Sequence, residues 1–375
     1  MNSSLGRLKS ACNPESGTIA YGYDGNGNLT LKTDARSVTT TFSYDALNRL
    51  TGKGYAGETV TAPDTATPNV TYAYEGGKDF RTAVTTSAGS YEVGGFDALG
   101  RPSVAVQRAG AQNFTFSNLQ WAAMGQMVSM TYPSGRVASY SYDRAGRPSG
   151  LTGKVNASAA AETYASAVSY APHGAMTGLV TGDNVTHSRG YDERLRMKSA
   201  QATGLMTLTM GWSAGGNLLS QRIQRPGLSL DVTQNFQYDS LNRLCAAVEA
   251  STASAITAVC GTTPSGANWK QTYIYDQAGN RALTGTSTSA VSDNSPHSDN
   301  GITVPFDGSN HWLLAADYDL AGNMIRMRTQ TMDWDAESRL KRVKDAGALL
   351  ASFTYDGDGR RLTKTANGKI GRAHV

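Results

Sequence analysis

The chain has 375 residues, 39% of them apolar and 17% charged, with 41 Gly and 18 Tyr against 8 Phe. Both shares lie below the usual ones, which argues against an ordinary helical enzyme and for many short strands, because Tyr and Thr suit a pleated, half-wet surface and Gly supplies the turns. A net charge of +4 without any Lys/Arg block excludes a nucleic-acid footprint, and neither a membrane-length apolar run nor a signal-like N-terminus is present.

One unit recurs from end to end. Tyr-Asp pairs begin at Tyr23, Tyr44, Tyr142, Tyr191, Tyr238, Tyr275, Tyr318 and Tyr355, where chance predicts about one. In chain order, Leu5-Gly6-Arg7-Leu8 is the tail of a copy without its aromatic, so the chain is expected to begin inside a repeat. The first full copy is Tyr23, Asp24 and Gly27, followed 21 residues later by Tyr44, Asp45 and Asn48. After an irregular stretch at 57–69 come a weaker copy at Tyr74-Glu75, then Phe96, Asp97 and Gly100. Trp121, Tyr170 and Trp212 are decayed copies at the same spacing. They alternate with Tyr142, Asp143 and Gly146, with Tyr191 and Asp192, and with Tyr238, Asp239 and Asn242. Two further irregular stretches, 246–268 and 284–311, flank Tyr275, Asp276 and Gly279 and read as loops on a continuous sheet. Tyr318, Asp319 and Gly322, then Trp334 and Asp335, then Tyr355, Asp356 and Gly359 complete the array.

Each copy reads as a strand entering a tight turn. Aromatics two residues apart, such as Tyr140 and Tyr142 or Phe353 and Tyr355, share one face of a strand. The Asp is expected to accept backbone N–H groups two or three residues on, opening a type I turn. The fifth position then has to be left-handed, which favours Gly or Asn. In the 14 registers from Tyr23 it is Gly nine times and Asn twice; Lys78, Leu195 and Ser338 are the exceptions, where another turn or distorted geometry is expected. A unit of this length holds two short strands, so the predicted fold is all-β: a long antiparallel sheet of repeated hairpins that twist forces to coil, close or split.

These residues resemble the YD-repeat or RHS-repeat family, whose signature is Tyr-Asp-x-x-Gly-Arg-Leu. The resemblance spans essentially the whole chain. It implies a β-ribbon coiling into part of a hollow shell, which in bacterial Rhs effectors and the BC component of Tc toxins encloses a toxic C-terminal domain; related shells in teneurins act in cell-surface adhesion. The family's Asp-Pro motif of the self-cleaving core is missing, so neither that core nor a toxin is assigned. Residues 369–375 read as the translation of a common short-read sequencing adapter, so the repeat region is expected to be 1–368, truncated at both ends.

No enzymatic constellation emerges. His173, His187, His297, His311 and His374 lack metal-ligand spacing, and neither a Gly-x-Ser-x-Gly elbow nor a P-loop occurs. Asp24 and Asp356 open calcium-loop-like segments, but Ala35 and Asn367 stand where an EF-hand needs Glu. Three cysteines are too few for a disulfide framework; Cys245 and Cys260 are near enough to pair across a loop in an oxidising compartment, but the expectation is that they do not. The repeat aromatics are expected to pack across strands. Trp269 and Trp312, outside the motif, are the candidates for stacking on sugars. The expectation is therefore a non-enzymatic shell fragment without metal, cofactor or nucleic-acid partner. Its parent would be secreted or surface-displayed, with a toxin cargo in the same polypeptide. The alternative is a cell-surface adhesion or carbohydrate-binding module whose partners are glycans.

Overall fold

The computed structural model describes residues 6–60, 65–76, 78–251, 256–260, 266–275, 279, 281–287, 316–366 and 369–372. Asp276, Trp312, His297, His311 and His374 lie outside them. Among the described residues every regular element is a strand except one short 3-10 turn, Pro226–Leu228, and no helix is long and apolar enough to cross a membrane. The chain divides into two compact units, one of residues 1–121, 130–134 and 307–375 and the other of 122–129 and 135–306.

The first unit contains two ribbons. In one, ten strands from Ser10–Asn13 to Gln112–Trp121 each pair antiparallel with the next. In the other, seven strands from Ala316–Tyr318 to Lys369–Arg372 do the same. The second unit carries twelve strands, from Val137–Tyr142 to Arg281–Ser287, in the same unbroken order. Such neighbour-to-neighbour pairing is what tight turns impose, since a two-strand unit has no length for a crossover.

Register slips at the motif itself. Ser43 faces Gly52 but Tyr44 faces Leu50, and the same one-residue bulge recurs at Tyr142, Tyr191, Tyr238 and Tyr355. The extra residue absorbs a turn whose fifth position is left-handed. Gly27, Gly100, Gly125, Gly146, Gly174, Gly216, Gly279, Gly322 and Gly359 all have positive φ there, as do Asn48 and Asn242.

Two of the three sequence exceptions are corrected. Leu195 (φ 64°) and Ser338 (φ 60°) keep the left-handed turn in spite of their Cβ, held by N–H bonds back to the Asp192 and Asp335 carbonyls. Lys78 differs as expected: Glu75 N–H reaches the carbonyl of Phe80, five residues on, where Asp45 N–H reaches Arg49, four on. That loop is one residue longer.

Little is buried. One cluster joins Val70, Tyr72 and Val84, flanked by Leu50, Tyr55 and Tyr74; another joins Ala246, Val248 and Ala258. Stability therefore rests heavily on ladders and turns, in keeping with the low apolar content. The stretch 246–268 is only partly loop, because the strand Leu244–Ser251 runs through its first residues. Cys245 and Cys260 form a disulfide, against the sequence expectation. Residues 256–260 return to pack Ala258 and Ile256 on that strand, which brings the two sulfurs together; spacing alone carried no sign of this return.

Candidate functional site

The motif builds one arrangement many times. In Asp45, Oδ1 accepts the N–H groups of Leu47 and Arg49, each at 2.9 Å, and Oδ2 accepts Arg49 Nε at 2.7 Å. Asp97, Asp143, Asp192, Asp239 and Asp335 repeat the pattern with Arg101, Arg147, Arg196, Arg243 and Arg339. The acceptor thus serves positions two and four residues on, not two or three. In the Asp24 and Asp319 copies, Asn28 and Asn323 take the arginine's place. Backbone N–H donation from Arg49, reinforced by its guanidinium, holds the Asp45 carboxyl below the usual carboxylate range, and the same causes act on Asp97, Asp143, Asp192 and Asp239.

The arginine then reaches the next copy. Arg49 lies over the Tyr74 ring at 4.6 Å, Arg147 over Tyr170 at 4.4 Å, Arg196 over Trp212 at 5.4 Å, Arg243 over Tyr275 at 4.4 Å and Arg339 over Tyr355 at 4.9 Å. The aromatic answers with its polar end. Tyr44 OH donates to Leu29 O (2.9 Å), Tyr142 to Met127 O (2.6 Å), Tyr191 to Met176 O (2.8 Å), Tyr238 to Leu218 O (3.0 Å) and Tyr355 to Leu340 O (2.8 Å). Tyr23 and Tyr275 do likewise toward Leu8 and Leu244, and Trp121, Trp212 and Trp334 use Nε1. Every acceptor is the residue just after the arginine position of the preceding copy. A carbonyl that the bulge would leave without a ladder partner is thereby satisfied. Where a Tyr or Trp carries the copy, one turn is thus clamped to the next.

Phe96 has no polar end and packs against Phe80, centroids 5.2 Å apart. The sequence reading placed aromatics and acids in these turns but gave the arginine no task; its fixed distance from both the Asp and the following aromatic was the available signal. Two further turns of the same kind were missed because they lack an aromatic: Asp34–Val38, with Ser37 at φ 67°, and Thr181–Val185, with Asn184 at φ 64°. Trp269 opens the strand Trp269–Tyr275 opposite Glu249 and is half-buried, a poor fit to an exposed sugar platform.

In the first unit, turns of the second ribbon seat on the first. Arg36 donates to the carbonyls of Asp335 and Ala336, each at 3.2 Å, and Thr67 Oγ1 accepts Ala336 N–H at 2.8 Å. Glu337 Oε1 meets Lys53 Nζ at 2.8 Å and Tyr55 OH at 2.7 Å. Burial pushes the Glu337 carboxyl up, but Lys53 and Tyr55 outweigh it and leave the group lowered. One turn further, Tyr72 OH donates to Gly357 O (3.1 Å) and Arg81 grips Asp358 with both terminal nitrogens. Here the clamp opens: Arg360 lies over Tyr91, and no ion pair to Asp356 forms among the described residues. Burial raises the Asp356 carboxyl, the reverse of its counterparts.

No group of three or more His, Cys, Asp or Glu among the described residues is placed to hold a metal ion. Taken together, the chain is a hairpin-repeat β-wall in which aromatic, acid and arginine couple successive turns. The RHS Repeat family pattern matches residues 3–38, 23–60 and 124–157, and those stretches carry repeats of that kind. It superposes on the crystal structure of TcdB2–TccC3 with a TM-score of 0.77 and 18% identity, and on the TcdB2–TccC3 structure without its hypervariable C-terminal region with a TM-score of 0.76 and 18% identity. A structure of the Photorhabdus luminescens Tc holotoxin pore gives 0.75 and 18%. Each likeness covers 96% of this chain and 20% of the other, so the chain spans about a fifth of the length of the proteins whose fold it shares. No curated protein sequence matches it.

Proposed function

We propose that this RHS-repeat wall is a section of a larger shell that encloses a polypeptide, of toxic activity, encoded in the same full-length chain and keeps it from its producer until delivery. The carrying observation is the repeated coupling of hairpin to hairpin: among the described residues the Tyr and Trp of successive copies, from Tyr23 to Tyr275 and again at Trp334 and Tyr355, are bonded to the copy before, which suits a continuous barrier better than a set of independent binding modules. The 96% coverage at a TM-score of 0.77 against a TcdB2–TccC3 structure supports the same reading. In this account Tyr44, Tyr142, Tyr238 and Tyr275 lock neighbouring hairpins, the aspartates shape the turns, and the wall itself performs no chemistry. A secreted or surface-delivered parent follows from that role.

Limited proteolysis of the full-length parent tests it. The downstream region should survive digestion while the shell is folded and be cut once urea opens the shell. Equal digestion in both states contradicts containment.

A further inference from the structure

The disulfide of the second unit closes a flap over the sheet. Strand Leu244–Ser251 is paired on both sides, with Leu230–Tyr238 and with Trp269–Tyr275, and Cys245, Ala246, Val248 and Ala250 are buried in it. Residues 256–260 fold back on this strand. Ala258, 2% exposed, packs on Ala246 and Val248 with Ile256 beside it, and Asn235 Nδ2 donates to Ile256 O at 2.7 Å. Cys260 then closes the segment through its bridge to Cys245, their Cα atoms 5.2 Å apart. One alanine methyl, a half-buried isoleucine and a bond at Ile256 are slight packing for five residues of chain, whereas a crosslink spanning 15 residues takes most of the freedom from an open loop.

The two sulfurs stand in different surroundings. Cys260 is exposed and Cys245 is 5% exposed, so an attacking thiolate reaches Cys260 Sγ. That attack forms a mixed disulfide on Cys260, breaks the bond to Cys245 and leaves the electron pair on Cys245 Sγ, which takes a proton from water. The new thiol has an acceptor in place, because Gln237 O lies 3.3 Å from Cys245 Sγ. A second thiol resolves the mixed disulfide, so that two small thiols are oxidised to one disulfide while Cys245 and Cys260 are reduced. The strand keeps both of its ladder partners throughout, which confines the change to the flap.

We propose that Cys245–Cys260 is a redox latch: a small-molecule thiol opens it, residues 256–260 lift from Leu244–Ser251, and the chain becomes open to proteases there. The latch stays shut in an oxidising compartment and opens in a thiol-rich one. This inference rests on neither containment nor a cargo.

The full chain, incubated with or without millimolar reduced glutathione, tests it by alkylation and by elastase digestion followed by peptide mass spectrometry. Glutathione should make Cys245 and Cys260 available to alkylation, while Cys12, exposed and free, is labelled in either state. Elastase cleavage after Ala258 or Val259 should then rise at least about tenfold, with the strands between 137 and 212 no more readily cut. Cys260→Ser should be cleaved at the faster rate in both conditions. A pair left oxidised by glutathione, cleavage at 256–260 that is indifferent to reduction, cleavage of Cys260→Ser at the slow rate, or an equal rise across 137–212 would each overturn the latch.

Discussion

Gly25 and Gly357 occupy the same place in the motif, directly after the Asp, yet their surroundings differ. A Cβ added at Gly25 would meet nothing within 4 Å, whereas at Gly357 it would fall 2.2 Å from Val70 Cγ1 and 2.5 Å from Val84 Cγ1. Neither glycine has positive φ, so alanine at either site changes contacts rather than backbone preference. Val70 and Val84 are 3% and 1% exposed and anchor the cluster beneath the turn, with no space to yield. Forcing a methyl into a packed site costs roughly 1–3 kcal/mol. Lifting the turn away would uncover both valines, at about 1.5–3 kcal/mol for each side chain fully exposed, so the turn should stay seated under strain. Gly357→Ala is therefore expected to lose about 1–3 kcal/mol, and Gly25→Ala to stay within about 0.5 kcal/mol of the parent. Urea denaturation measures both, and hydrogen exchange over residues 70–86 and 356–362 locates the effect. Equal losses in the two variants, or unchanged exchange in Gly357→Ala, would refute the seating of the second ribbon on the first.

Tyr238→Phe removes only the hydroxyl bonded to Leu218 O and should cost about 1 kcal/mol in urea denaturation; Tyr142→Phe, at a half-buried ring bonded in the same way to Met127 O, should cost about the same. Leu195→Asn should stabilise by up to about 1 kcal/mol, because the left-handed Leu195 is 57% exposed and gives up little burial; a loss of stability would remove the strain argument. Glu337 has a lowered carboxyl, so its contribution is present above the unfolded value of about 4.3 and fades as pH falls. The stability gap between the parent and Glu337→Gln should accordingly narrow from pH 6 to pH 3, and a gap that widens on acidification would contradict the Lys53–Glu337 contact. Asp356 works in the opposite sense, since its raised carboxyl gains stability on protonation.

Turn position, left-handed glycines and hairpin order were legible because each is local: a period of about 21 residues and the stereochemistry of one turn determine them. The clamp was half legible. Tyr outnumbers Phe 18 to 8, which signals a needed polar end, but its acceptor is a backbone carbonyl and leaves no mark in side-chain identity. Leu195 and Ser338 misled because the hydrogen bonds of the turn outweigh the penalty on a Cβ there. The seating of the second ribbon was not legible at all. Arg36, Lys53, Tyr72 and Arg81 meet partners 277 to 300 residues away and follow no period that marks them.

Coupling between successive hairpins is most directly tested at Arg196, which binds Asp192 Oδ2 at 2.8 Å and Ser213 O at 2.8 Å while lying over Trp212. Hydrogen exchange of Arg196→Gln should lose protection in its own turn, 192–196, and also in the next, 213–217. Loss confined to the first turn would show that the copies stand independently, and that the arginine does not join them.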